Sequence, residues 1–171
     1  MPYTLEEFAG DCKDALSSDP APEGLEKVRE FLETALTDED FLAETLGPEV
    51  AGQRNIIYED PDLGFCIIAH VYEGPKGGFP HDHGPAWAIY GQAEGVTEMN
   101  DWKLLKAPKD GKPGKVEHVQ TYTLEPGDAR VYQQGDIHSP SRKSSTKLIR
   151  IEGQNMDNVT RDKFDVVGKG A

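Results

Sequence analysis

The sequence predicts an all-β barrel or sandwich packed behind an N-terminal helical segment. Two changes of texture carry that prediction. Up to about residue 50 the apolar residues recur at helical spacing. From Arg54 onward they fall in short runs rich in β-branched and aromatic residues, parted by Gly/Pro turns. The length, 171 residues, fits one domain with a core of useful size.

The helical part reads as three pieces. Thr4-Leu5-Glu6-Glu7 fits a capping box, a threonine followed three residues later by a glutamate. Leu5, Phe8, Cys12, Ala15 and Leu16 then mark one apolar face. Ser17 to Pro22 breaks the pattern. Leu25, Val28, Phe31, Leu32, Ala35 and Leu36 predict a second amphipathic helix. Thr37 to Asp40 opens a short third one with Phe41, Leu42 and Leu46, stopped by Gly47-Pro48. Strands are expected at Asn55–Tyr58, Phe65–Tyr72, Ala86–Gly91, Gly95–Leu105, Val116–Leu124, Ala129–Gln133 and Thr146–Glu152. Lys106 to Lys115 reads as a polar hairpin loop. The division is thus a helical cap over residues 1–50 and a barrel over 51–171.

Composition narrows the function. A net charge of -13 argues against nucleic acid or an anionic membrane as partner, because both reward a basic surface. No run of about 18 apolar residues exists, so no membrane span is expected. The N-terminus lacks a basic region followed by an apolar one, and a cytoplasmic location is the expectation. Cys12 and Cys66 are too few for a disulfide framework and read as free thiols.

The chemistry concentrates in five histidines, of which three stand in informative places. His81 and His83, in Pro80-His81-Asp82-His83-Gly84-Pro85, follow a strand-like run. On an extended chain residues i and i+2 share a face, so the two imidazoles can stand side by side. His138 ends the turn Gln133-Gln134-Gly135-Asp136-Ile137, where a barrel could aim it back at the pair. Three converging imidazoles would hold a divalent metal and leave other positions open. His70 reads as core or as a support for the site, and His118 as surface. Asp82 reads as a turn acceptor. Tyr72, Tyr90, Trp87 and Trp102 read as packing residues.

These stretches resemble the two motifs of the cupin superfamily. His81, His83 and Gly95 fit the spacing of the first motif, with Gly74 one residue early. Gly127, Gly135 and His138 fit the second, with Gln133 where proline is usual. The resemblance implies a β-rich cupin jelly-roll barrel, or double-stranded β-helix, with an N-terminal α-helical cap. The carboxylate that usually completes the first motif falls on Ala88. A three-histidine cupin with His-Asp-His and a helical cap is similar to cysteine dioxygenase and its thiol dioxygenase relatives, which are non-haem Fe(II) enzymes.

That similarity implies a divalent metal on His81, His83 and His138. Fe(II) is the first expectation, with Zn, Ni or Mn as alternatives. It implies O2-dependent oxidation of a small anionic substrate, with thiols among the candidates. Arg54 sits where the family grips a substrate carboxylate, a role that suits a guanidinium fork. Two departures stand out. The family's late Ser-x-His-x-Tyr pattern becomes Leu148-Ile149-Arg150-Ile151-Glu152, so Arg150 and Glu152 replace its histidine and tyrosine. Ala88 also excludes the cysteine–tyrosine cross-link of the animal enzymes. Arg54, Arg150 and Glu152 are therefore the candidate catalytic residues. A non-oxidative lyase or isomerase, and a metal- or ligand-binding cupin without turnover, are the alternatives. A homodimer is possible.

Overall fold

The computed structural model describes residues 2–19, 21–50 and 52–167. Three helices come first: α1 (Leu5–Ser18), α2 (Glu23–Leu36) and α3 (Glu39–Leu46). The capping box is present, with Thr4 Oγ1 accepting from Glu7 N at 3.1 Å and the Glu7 carboxylate accepting from Thr4 N at 3.0 Å. Asp38 caps α3 by accepting from the backbone of Asp40 and Phe41. The apolar faces predicted from spacing are buried: Phe8, Cys12 and Ala15 on α1, Leu25, Val28, Leu32, Ala35 and Leu36 on α2, Phe41 and Leu46 on α3.

Ten strands follow among the described residues: β1 (Asn55–Glu59), β2 (Cys66–Tyr72), β3 (Lys76–Gly77), β4 (Ala88–Glu94), β5 (Thr97–Lys106), β6 (Gly114–Leu124), β7 (Ala129–Tyr132), β8 (Ile137–Arg142), β9 (Thr146–Glu152) and β10 (Phe164–Val166). They form two five-stranded sheets, ordered β1-β2-β9-β4-β7 and β10-β6-β5-β8-β3. All pairings are antiparallel except β10 with β6.

Alternation along the strands decides what the first sheet shows to each side. Ile67, Ala69, Ile89, Ile149 and Ile151 point outward into one apolar cluster with the helices. Each of the four isoleucines, fully buried, contributes about 1.5–3 kcal/mol, and this cluster is what holds the cap on the barrel. The residues between them point into the barrel. There Cys66, Glu152 and Ala88 lie in one cross-strand row, and Ile68, Arg150 and Tyr90 in the next. The charged face of β9, which could have been solvent, is interior.

Gly91 marks the closest approach of α2 to the sheet. A Cβ there would lie 2.6 Å from Leu32 Cδ2 and 2.8 Å from Leu32 Cγ. Gly91→Ala is expected to destabilise the protein by about 1–3 kcal/mol through overpacking. The urea midpoint should fall at unchanged m-value; an unchanged midpoint would mean that the helix layer is loosely seated.

Three expectations need correction. Residues 137–142 were expected only as a turn ending at His138, because Ser139-Pro140-Ser141 is turn-like in composition. They form β8, held between β5 and β3. The two-residue β3 and the three-residue β10 are too short to leave a sequence pattern. The His-x-His pair was expected on a strand. Only His81 makes a strand-like bridge, to His138, while His83 opens a turn in which Ala86 N donates to His83 O at 3.0 Å.

Candidate metal centre

Backbone pairing sets the centre. His81 N donates to His138 O and His138 N donates to His81 O, both at 2.9 Å. This reciprocal bridge fastens the two motif segments together, although 57 positions part them in the chain. The turn before β8 uses Gly135 at φ +89°, a conformation that favours glycine. Asp82 does not join the cluster; its Oδ1 accepts from Gly84 N at 3.0 Å and shapes the turn that carries His83.

One ring nitrogen from each of His81, His83 and His138 lies within 4.8 Å of the others. The outer nitrogens fix the tautomers. His81 Nδ1 faces Phe79 O at 2.8 Å and His138 Nδ1 faces Asp136 O at 3.2 Å; a carbonyl can only accept, so each Nδ1 carries the proton. His83 Nδ1 faces the Glu152 carboxylate with Oε2 at 3.4 Å, too poorly aligned for a hydrogen bond, and the negative charge there favours the proton on Nδ1. The Nε2 atoms therefore point inward as lone pairs. His83 Nε2 and His138 Nε2 are 3.2 Å apart. Two bare lone pairs at that separation repel, and a cation relieves the repulsion. Two nitrogens held about 2.0–2.1 Å from one ion, at about 90–110°, are about 3 Å apart, so the donor set fits a first-row divalent ion.

Burial pushes all three imidazoles below their usual range. His81 is held at about 3, His83 is lowered, and His138 lies well below, the last also through its histidine neighbours. They are neutral at pH 7, as metal ligands must be. Tyr132 stacks on His138 with ring centres 4.0 Å apart, which fixes its ring plane.

Glu152 sits behind the centre and is 1% exposed. Burial alone would raise its carboxyl; His83, Arg150 and Arg54 overcome this and hold it at about 2. Arg54 donates to Glu152 Oε1 and to Asp157 Oδ1, both at 2.9 Å. Its fork thus engages two protein carboxylates. Arg150 Nη1 is 3.9 Å from Glu152 Oε1, and its guanidinium lies 4.3 Å from the Tyr90 ring centre. All three candidates are therefore within one network around His83, with Arg54 serving it as an ion-pair partner.

The sequence reading passed over Arg142, and read Tyr90 and Tyr72 as packing residues and His70 as core or a support for the site. Arg142 is 4% exposed and has no carboxylate within salt-bridge reach among the described residues. Its Nε donates to Thr97 Oγ1 at 3.1 Å, and Thr97 donates to Gln92 Oε1 at 2.9 Å. Arg142 Nη2 and Arg150 Nε are buried without a partner. His70 Nδ1 donates to Gln53 O at 2.5 Å, which leaves its buried Nε2 as a bare acceptor. Burial, aided by Arg150, holds His70 at about 2. The only sequence signal for Arg142 was its spacing of four from His138, which places both on one face of β8.

A cavity of about 680 Å³ reaches this centre at His81. Tyr72, Lys76, Phe79, Pro140, Arg142, Arg150 and Arg161 line it, and a neighbouring cavity of about 380 Å³ is lined by Arg54, His70, Arg150 and Glu152. The larger one counts five cationic residues and two acidic ones, in a chain of net charge -13. No helix among the described residues is long and apolar enough to cross a membrane.

No family model matches the chain, and no curated protein matches it in sequence. Solved structures do. The chain is similar to KdgF from Halomonas sp., at 19% identity over 63% of this chain and 82% of that one, with a TM-score of 0.46. It is similar to a cupin-2 domain protein from Shewanella frigidimarina, at 19% identity over 60% and 81%, with a TM-score of 0.42. A cupin superfamily protein from Desulfitobacterium hafniense matches at 13% identity over 65% and 89%, with a TM-score of 0.45. The fold is thus β-rich, two five-stranded sheets preceded by three helices, and three of its histidines form a cluster able to hold a divalent metal.

Proposed function

We propose that the protein is a metal-dependent cupin enzyme that oxidises a small anionic substrate with O2, in the manner of the thiol dioxygenases. The observation that carries this reading is the cation-lined cavity that reaches His81. A buried arginine without a counter-ion is costly, and Arg142 is such a residue. An anion that enters the cavity offsets that cost. When bound, a divalent ion on His81, His83 and His138, Fe(II) in this reading, supplies Lewis acidity and the redox chemistry that O2 requires.

The chain's own residues bind and orient. Arg142 and Arg150 line the cavity, each with a buried N–H that lacks a partner, and their guanidinium groups would hold a carboxylate or similar anion there. A second anionic group, such as a thiolate or enolate, supplies the charge that three neutral imidazoles lack. Glu152 keeps the His83 ring in its tautomer and offsets Arg54 and Arg150. Arg54 holds Glu152 in place rather than gripping substrate. His70, neutral with a bare and buried Nε2, is a hydrogen-bond acceptor beside the adjoining cavity. The same three histidines support a second reading, a lyase or isomerase in which the ion would act only as a Lewis acid.

Anaerobic reconstitution with Fe(II), followed by O2 uptake with a panel of small thiols, 1,3-diketones and hydroxy acids, separates the two. The oxidative reading expects metal-dependent uptake with an anionic member. Turnover of a panel member without O2 would favour the second reading. Arg142→Met is expected to raise KM for that substrate about tenfold or more, with kcat little changed. Because the arginine is uncompensated, the same change should leave the melting temperature equal or higher. A large drop in stability with KM unchanged would give Arg142 a structural role instead.

A further inference from the structure

We propose that Tyr90 Oη is a fourth protein donor to the metal. The inference rests on the metal-centre reading of His81, His83 and His138. Tyr90 follows Ala88 by two positions on β4, so the two share the barrel-facing side of the strand, and the Ala88 methyl offers no donor. Tyr90 is 1% exposed, and its hydroxyl lies 2.9 Å from His83 Nε2 and 3.1 Å from His138 Nε2. With the 3.2 Å between those nitrogens, the three atoms form a nearly equilateral triangle.

Hydrogen bonding does not account for that triangle. The carbonyl behind His138 makes its Nε2 an acceptor, and the ionised Glu152 carboxylate 3.4 Å from His83 Nδ1 favours the same tautomer there. A phenol has one proton and can donate to one nitrogen only. The other nitrogen then faces the oxygen lone pairs, and both nitrogens face each other. Three donor atoms at mutual distances of about 3 Å are what ligands around one ion display. The ring is also held for this position. The Arg150 guanidinium lies 4.3 Å from its centre, and Tyr132 meets it edge-on at 5.1 Å. On a ferric ion the oxygen binds as phenolate, with the phenol proton released to solvent.

The test uses the full chain, stripped with EDTA, loaded anaerobically with Fe(II) and then oxidised to Fe(III) with ferricyanide. The iron-loaded protein is expected to show a visible phenolate-to-iron(III) charge-transfer band, with tyrosinate modes enhanced in resonance Raman. Tyr90→Phe should lose the band, still take up iron, and bind it at least about tenfold more weakly. Tyr132→Phe should keep the band. Iron-loaded protein without the band, or Tyr90→Phe retaining it, would overturn the proposal. If Tyr90→Phe does not fold, the Raman spectrum of the unaltered protein decides by itself. A folded protein that takes up no iron would contradict the three-histidine centre and, with it, this inference.

Discussion

His138→Ala is expected to abolish metal loading. His138 contributes one of the two Nε2 atoms that face each other at 3.2 Å, and its ring is 0% exposed. Removing it leaves two histidines of a single segment, His81 and His83, too few to hold a first-row ion at micromolar concentration. Loss of a residue that only supports a ligand costs about 10–100-fold in affinity, so loss of the ligand itself should cost at least about 100-fold. Anaerobic equilibrium dialysis against Fe(II), and separately Zn(II), reads this directly. His118→Ala is the matched control. His118 is exposed and bonds Thr121 and Asn100 on the outer surface, and its loss should leave loading unchanged. Loading that survives His138→Ala would remove His138 from the site.

The metal-free protein is expected to lose stability steeply below neutral pH. His70, His81, His83 and His138 are buried and neutral, with His70 held at about 2 and His81 at about 3. An unfolded chain titrates histidine near 6.5. Below that value the unfolded state binds more protons than the folded one, so stability falls as pH falls. Each histidine that stays neutral in the fold contributes about 1.4 kcal/mol in total between pH 7.5 and 5.5, and about that much per pH unit further below. His70, His81 and His138 together should cost about 4 kcal/mol between pH 7.5 and 5.5, with His83 adding to it, a large part of a typical domain's total. The loss continues until the folded-state values are reached. Glu152 adds to it below its ordinary value of 4.5, down to about 2, because its depressed carboxyl stabilises the fold only while ionised. Urea midpoints on EDTA-treated protein across this range measure the effect. Bound metal moves the whole curve to lower pH, since the ligands must stay deprotonated. Midpoints that do not change between pH 7.5 and 5.5 would mean that these histidines are hydrated.

The sequence carried the parts of this account that depend on local spacing. The helices were legible because burial of one face imposes a period of 3.6 residues, from Phe8 to Leu36. The strands were legible where alternation was long, as in Cys66–Tyr72 and Thr146–Glu152. The three clustered histidines were legible because each sits near a turn glycine. What stayed hidden depends on contacts across the chain. Arg54 was read as a substrate clamp because nothing local reveals Asp157, which lies 103 residues away and occupies half of its fork. Arg142 was missed because Ser139-Pro140-Ser141 masks β8, and an arginine near a turn is ordinarily a surface residue. The direction of Arg150 and Glu152 could be settled only by the register of β9 against β4, which places them opposite Tyr90 and Ala88.

X-ray absorption at the iron edge of anaerobically loaded protein tests the three-imidazole centre most directly. The account predicts one ion per chain, a shell of nitrogen and oxygen neighbours, and multiple scattering that requires three imidazole rings. A shell fitted by oxygen donors alone, or by one imidazole, would contradict it.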